Sequence, residues 1–461
     1  VEEISMIPRL PIVALVVAAC VVASARAEEA ALEAKVREGA SAVQEKVVQW
    51  RRDIHQHPEL GDQEARTSRL VADHLRNLGL EVRSGVGGTG VVGILKGTRP
   101  GRTVALRADM DALPVQEPKG LPFASKAKQQ YMGEEVPVMH ACGHDAHTAM
   151  LMGVAEVLAG MKDDLPGTVV FVFQPAEEGS SVVTPASGKT WGARRMLDEG
   201  AFKDPKPDVV FGLHVMPGAL GQISYRTGAT TASSDDLGIL VTGKQGHGGM
   251  PWNTIDPITT SAQIILGLQT VVSRRADLTA SPVVVTVGTI NGGSRGNVVP
   301  ETVSMAGTIR TYDENVREQV VRGVRLTAEK IAESAGARAE VRITKMYPPT
   351  VNDEALTARM LPVLKRAADG QVADAPPSGA TEDFSLFAQA APGLYVFLGV
   401  TPRDQDPAKA APNHNPKFFV DERALVVGTR TMASLAVNAL SPAPEASKPS
   451  TRARPFVTDE R

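Results

Sequence analysis

Short strand-like apolar runs that alternate with helical stretches restrict the fold of this chain more than any other feature. Residues 91–95, 103–107, 168–173 and 208–213 are such runs, and stretches with helical spacing occupy 64–78, 146–158 and 193–197. In the first helical stretch Leu70, Val71, His74, Leu75 and Leu78 fall on one face, and Gly79 supplies the stop. The alternation predicts an α/β layered structure. After Gly228 the order changes. Strand patterns at 237–243, 283–290, 302–310 and 339–344 are interleaved with helical patterns at 257–272 and 317–334. This β-α-β-β-α-β order is that of a ferredoxin-like unit. The α/β character resumes over 354–440. The chain therefore reads as one domain (28–228 and 346–440) interrupted by a smaller one (229–345). Residues 441–461, rich in Pro, Ser and charge, read as a disordered tail.

At 461 residues the chain exceeds one ordinary core, in keeping with two domains. Aromatics make up only 4%, so Val, Leu, Ala and Ile must build the interior. A net charge of -3 implies no basic face and argues against nucleic acid as a partner. The N-terminus reads as an export signal over 1–27: Met6 as a start, Arg9 as the positive region, an apolar run over 10–22, and Ala25-Arg26-Ala27 as a cleavage site. The expectation is a periplasmic or secreted protein. An uncleaved anchor is one alternative, and a lipoprotein attached through Cys20, which ends Val17-Ala18-Ala19-Cys20, is another. Removal of the signal leaves Cys142 as the sole cysteine, so no disulfide forms within the mature chain.

Four local patterns carry chemistry. In Met139-His140-Ala141-Cys142-Gly143-His144-Asp145-Ala146-His147 a thiol and an imidazole two residues apart can take one metal ion. The N-terminus of the following helix would help keep the thiol ionised. Alone, the pattern reads equally as a small buried cysteine beside surface histidines. Phe173-Gln174-Pro175-Ala176-Glu177-Glu178-Gly179 places two carboxylates just past a strand, where successive side chains point apart. One can bind metal while the other faces a substrate; an acidic turn is the plainer reading. Phe211-Gly212-Leu213-His214-Val215 and Asn413-His414-Asn415-Pro416 each offer a histidine that alone is more often structural. Convergence favours function. Ligands of open α/β sheets bind beyond the carboxyl ends of the strands, and Asp109, Glu177, Glu178 and His214 all follow predicted strands.

These residues, together with Arg107-Ala108-Asp109-Met110-Asp111-Ala112-Leu113-Pro114, Gly246-His247 with Pro251, Asn297-Val298-Val299-Pro300 and Glu382-Asp383-Phe384, resemble the M20 metallopeptidase family. The match is to its amidohydrolase branch of hippurate and auxin-conjugate hydrolases and covers about residues 47–440. The resemblance implies a metal-dependent exopeptidase-like catalytic domain, with a mixed sheet and helices on both faces, and an inserted ferredoxin-like α+β domain acting as lid and dimerisation unit. It implies that Cys142 bridges two divalent ions, Zn²⁺ or Mn²⁺ with Ni²⁺ or Co²⁺ as options. His144 and His214 complete one ion, Glu178 and His414 the other. Glu177 is then the general base and acid, Asp111 an orienting residue, and His247 an oxyanion donor acting across a homodimer or higher homo-oligomer. Asn297 and Arg310 would grip a substrate carboxylate.

The implied reaction is hydrolysis of N-acyl-L-amino acids or related amides, with hippurate-like, aromatic-acyl and ochratoxin-like compounds in range. Amides resist water because their carbon is a poor electrophile and the amine leaves only with a proton. Two metal ions and a nearby carboxylate address both problems. Gly248-Gly249, Gly379-Ala380-Thr381 and Phe419-Val420 depart from the family pattern, which leaves acyl preference open without removing a ligand. A dipeptidase or carboxypeptidase of the same family and an inactive exported binding protein are the alternatives.

Overall fold

The computed structural model describes the backbone of residues 12–183 and 188–441, with side chains from Glu29 onward. Expectations resting on the side chains of 1–27, Cys20 among them, and on 442–461 lie outside the described residues. Among the described residues no helix is long and apolar enough to cross a membrane.

The chain begins with α1 (Ile12–Gln56), α2 (Ala65–Asn77), β1 (Glu81–Ser84), β2 (Val91–Lys96) and β3 (Arg99–Asp109). A hairpin of β4 (Lys128–Tyr131) and β5 (Glu134–Pro137) precedes α3 (His144–Gly160), β6 (Pro166–Gln174), α4 (Gly192–Asp198), β7 (Val209–Ala219) and β8 (Ile223–Tyr225). It then passes through β9 (Gly228–Ala232) to β10 (Ser234–Thr242), β11 (Gly246–His247), α5 (Pro257–Arg275), β12 (Val283–Gly292), β13 (Val298–Val299), β14 (Thr302–Thr311), α6 (Glu314–Ser334) and β15 (Arg338–Tyr347). It returns by β16 (Thr350–Asn352) to α7 (Glu354–Ala367), β17 (Val372–Asp374), β18 (Ser378–Thr381), α8 (Phe384–Ala390), β19 (Gly393–Thr401) and α9 (Leu425–Leu440).

An eight-stranded sheet, ordered β1-β2-β6-β3-β7-β19-β8-β17, forms the frame. Its centre (β6, β3, β7, β19) is parallel, and β2 and β8 pair antiparallel on either side of that centre. The sheet is mixed in strand direction and covered on both faces. In β6, Phe171 and Phe173 enter the core beneath α1, α3 and α9, while Val170 and Val172 enter the core shared with α4 and α8. That two-sided burial is why the strand reads as an unbroken apolar run.

A second, four-stranded antiparallel sheet, ordered β12-β14-β10-β15, has its own core with α5 and α6. Only one face is covered: Leu237, Ile239 and Val241 are buried, while Leu240 and Val284 are exposed. The chain crosses between the two sheets along β9 and β16, which pair with each other. Two helices start earlier than their periodicity suggests, for identifiable reasons. The Asp313 carboxylate caps α6 by accepting from Val316 N at 2.9 Å. Gly143, at φ 94°, turns the chain so that α3 begins at His144. His247 ends a two-residue ribbon opposite Val298, and the Gly248-Gly249 turn that follows is closed by Met250 N donating to the His247 carbonyl at 2.8 Å.

Candidate metal centre and active site

The carboxyl ends of β3, β6 and β7 lie side by side, and the turn before α3 folds over them. Gly143 is required in that turn: a Cβ there would meet Val215 Cγ2 at 2.3 Å, besides demanding a left-handed conformation. The turn brings Cys142 Sγ to 3.3 Å from His214 Nε2. His214 Nδ1 donates to the Val215 carbonyl at 2.7 Å, which leaves the Nε2 lone pair free. His214 lies inside β7 rather than after it, because β7 continues in parallel register with β19 as far as Ala219. His144 Nδ1 donates to the Asp111 carbonyl oxygen at 2.9 Å and lies 3.1 Å from Asp111 Oδ1. Asp111 Oδ2 also accepts from Glu178 N at 2.9 Å, so one aspartate aligns a histidine on one side and a carboxylate on the other. His414 sits at φ 69°, with its N–H donating to the Ala141 carbonyl at 2.8 Å, and its Nε2 is 2.8 Å from Glu178 Oε1. Asn413 fastens this turn by donating to the carbonyls of Cys142 and Val215.

Two donor sets result, Cys142/His144/His214 and Cys142/Glu178/His414, each with its ligand atoms within 4.8 Å of one another and both containing the sulfur. The residues fit a pair of divalent ions, which would share the Cys142 sulfur. His144 Nε2 is buried and has no hydrogen-bond partner, with Asp109 Oδ2 3.7 Å away. Leaving such a nitrogen unpaired is costly unless a cation takes its lone pair. Thiolate, imidazole and carboxylate together suit a divalent transition metal. His147 lies close by but is not available: its Nδ1 donates to Asp109 Oδ1 at 2.6 Å and its Nε2 accepts from Val215 N at 2.8 Å.

The Cys142 thiol is common to both sets. Burial, together with the carboxylates of Glu178, Glu177 and Asp109, pushes its pKa well above the usual value. The helix N-terminus therefore does not keep it ionised unaided, and cations must supply the opposing charge.

Behind the donors lies a buried ionic cluster. Arg107 reaches Gln174 Oε1, Asp109 Oδ2 and Glu382 Oε1 at 2.7–2.8 Å and Asp383 Oδ1 at 3.2 Å. Glu177 stands beside this cluster. Burial, then the negative charges of Glu382, Glu178 and Asp383, raise its pKa well above that of an ordinary carboxylate. On the other side of the thiol turn, Asp145 accepts from Arg51 Nε at 2.7 Å and from His55 Nδ1 at 2.8 Å, both on α1.

A cavity of about 600 Å³ opens over the donors, lined among others by Cys142, Glu177, Glu178, His214, Arg310 and Tyr347. Arg310 comes from β14 and is half-buried. Its guanidinium bonds only its own chain, at the Ile309 carbonyl, and has no acidic partner among the described residues. His247 and Asn297 lie elsewhere. They adjoin each other, with Gly248 N donating to the Asn297 carbonyl at 2.8 Å, but both are exposed and neither lines the cavity. Sequence reasoning missed Tyr347, whose only signal is its place at the end of β15 before Pro348-Pro349. It also missed the Arg51/His55 clamp on α1.

Comparison with known proteins agrees with this geometry. Residues 105–438 match the model of Peptidase family M20/M25/M40. Thermostable carboxypeptidase 1 of Saccharolobus solfataricus is 41% identical over 87% of this chain and 98% of its own. N-acetyl-L-cysteine deacetylase of Bacillus subtilis is 38% identical over 84% of this chain and 86% of its own. A solved dinuclear metal-binding peptidase of the M20 family from Bacillus subtilis superposes with a TM-score of 0.70 at 35% identity, covering 87% of this chain and 99% of that one. A thiol common to two candidate donor sets, set in a mixed α/β frame of this likeness, makes the chain a metal-dependent hydrolase that belongs to peptidase family M20/M25/M40.

Proposed function

We propose that the protein hydrolyses the amide bond of N-acyl-L-amino acids or closely related small amides, releasing a carboxylic acid and an amino acid. The observation that carries this reading is Arg310, a half-buried cation without an acidic partner in the cavity that holds the donor sets and Glu177. A guanidinium so placed suits a carboxylate, and the amine half of an N-acyl amino acid ends in one. When bound, a pair of divalent ions activates water and polarises the amide carbonyl. Glu177, a carboxyl lining the cavity beside the donor sets, is suited to take a proton from water and return it to the leaving nitrogen. Asp111 keeps His144 and Glu178 in place. His247, which is outside the cavity, acts on the developing oxyanion from the partner subunit of a dimer or larger homo-oligomer. Asn297, beside it, assists in holding the substrate carboxylate.

The mixed sulfur, nitrogen and oxygen donors suit Zn²⁺, with Mn²⁺, Ni²⁺ and Co²⁺ as activating substitutes. Export through an N-terminal signal, to the periplasm or beyond, is part of the same proposal. A carboxypeptidase reading is supported by the names of two relatives, each 41% identical to this chain. Both substrates place a carboxylate on the amine side, and they differ in whether the acyl side carries a free ammonium group.

The test adds each metal back to stripped enzyme and compares hippurate, hippuramide and a free dipeptide. Hippurate should be the best of the three, and Arg310→Gln should raise KM for hippurate without changing that for hippuramide. Faster turnover of the free dipeptide would overturn the acyl assignment.

A further inference from the structure

Glu64 occupies the N-cap position of α2, yet its side chain makes no capping bond. Glu59 does that work, accepting from Arg66 N at 2.9 Å and Thr67 N at 2.8 Å. Glu64 instead turns inward and is wholly buried. One oxygen accepts from Ala176 N at 2.8 Å, and the other meets the Thr89 hydroxyl. No cation pairs with it among the described residues.

Its backbone partner is unusual. Ala176 has φ 50°, a left-handed conformation that a residue with a Cβ seldom adopts unless its surroundings impose it. Ala176 immediately precedes Glu177 and Glu178, which must diverge: Glu178 belongs to the donor set with Cys142 and His414, while Glu177 stands against the Glu382 and Asp383 cluster. The same turn touches this loop a second time. A Cβ on Gly61 would lie 2.1 Å from the Gly179 carbonyl oxygen, and the Gly61 carbonyl accepts from Ser181 N at 3.0 Å.

We infer that Glu64 is a positioning residue that holds the left-handed turn at Ala176, so that Glu178 is aimed at the ion it shares with His414 while Glu177 faces the cavity. Burial, with Asp111 nearby, raises the Glu64 pKa to about 8. Both Glu64 oxygens accept, one from Ala176 N–H and the other from the Thr89 hydroxyl. A glutamine amide oxygen keeps the acceptor for Ala176 N–H, and the Thr89 hydroxyl, which can accept as well as donate, can take the amide N–H.

The inference rests on the two-ion reading but not on the substrate, and its test needs none. Zn²⁺ is titrated calorimetrically into metal-stripped protein carrying Glu64→Ala, Glu64→Met or Glu64→Gln. Glu64→Met keeps the volume and removes both polar functions. Wild type should bind two ions. The Ala and Met variants should bind the first as wild type does and the second about 10- to 100-fold more weakly, the usual cost of losing a partner that orients a ligand. Glu64→Gln should restore most of the loss. Equal weakening of both binding events would overturn the inference, as would an unchanged second event or a Gln variant as weak as Ala. Loss of native circular dichroism in both Ala and Met variants would also overturn it, since Glu64 would then serve global stability. If hippurate fails as a substrate while the two-step titration behaves as described, only the substrate assignment falls.

Discussion

The two units of this protein each bury a charged cluster, with Arg317 on Asp235 in the smaller one, but they treat the polar groups near the site differently. Around the eight-stranded sheet, charged side chains are buried and held from several sides, as with Arg107 among four partners or Asp145 between Arg51 and His55. On the four-stranded unit, His247 and Asn297 are exposed and lean only on neighbouring backbone, and Arg310 bonds its own chain. A donor set for metal must exist before anything binds, so its orientation is fixed by a surrounding network. Groups that meet a substrate or a transition state can be left unpaired, because their partner arrives later.

The contrast can be broken most decisively at Cys142. Cys142→Ala removes the atom common to both donor sets, so both ions should be lost and turnover should fall by more than the roughly 10–100-fold that loss of an orienting partner costs. Metal analysis alongside steady-state rates checks this, and full metal content with normal turnover would refute the bridge.

A second test addresses the network behind the turn. Arg51→Met should destabilise the protein by about 3 kcal/mol in denaturant melts at neutral pH, because buried Asp145 would keep only His55 against its charge. Burial alone would raise the Asp145 pKa, but the charges of Arg51 and His55 outweigh it and hold the group below its ordinary value of 3.8. Its contribution is therefore present above that value and lost as pH falls through the lower folded pKa. The wild-type and Arg51→Met stability curves should converge in acid. Parallel curves would show that Asp145 is not the partner that matters.

The third test concerns the other unit. His247→Ala should retain both ions and lower kcat by about 10²–10³ with KM little changed, the pattern expected of an oxyanion donor. Mixing His247→Ala with Glu177→Gln subunits should then recover part of the activity. A loss confined to KM would return His247 to a structural role. The smallest effect is expected on the uncovered face of the second sheet: Val284→Thr should change stability by no more than about 0.5 kcal/mol at concentrations where the protein is a monomer. A larger change there would mean that the exposed face is part of the folded unit's own energetics.

Much of this contrast could be read from the sequence. Buried strands announce themselves as unbroken apolar runs, and Cys142, His144, Glu177 and Glu178 stand where strands or turns must deliver them. Other features depend on contacts between distant residues. Nothing local separates His144, a free donor, from His147, whose nitrogens are consumed by Asp109 and Val215. Glu64 resembles any helix-capping acid until Ala176, 112 positions later, is found against it. The span of β7 was misjudged because its length is set by pairing with β19, nearly two hundred residues onward, and not by its own composition.

The unequal shielding of the ligands has a consequence for exchange kinetics. The His144 side chain is wholly inaccessible, whereas that of His414 is 54% exposed on its left-handed turn. A chelator in solution could approach an ion held with His414 from that exposed side without opening the protein, whereas an ion held by Cys142, His144 and His214 would be reached only through the cavity. Removal by a competing ligand should therefore run in two phases, the outer ion leaving first. Pausing between them would yield a protein ready to be refilled with a different element at one position only, and a heterometallic pair becomes a preparative possibility.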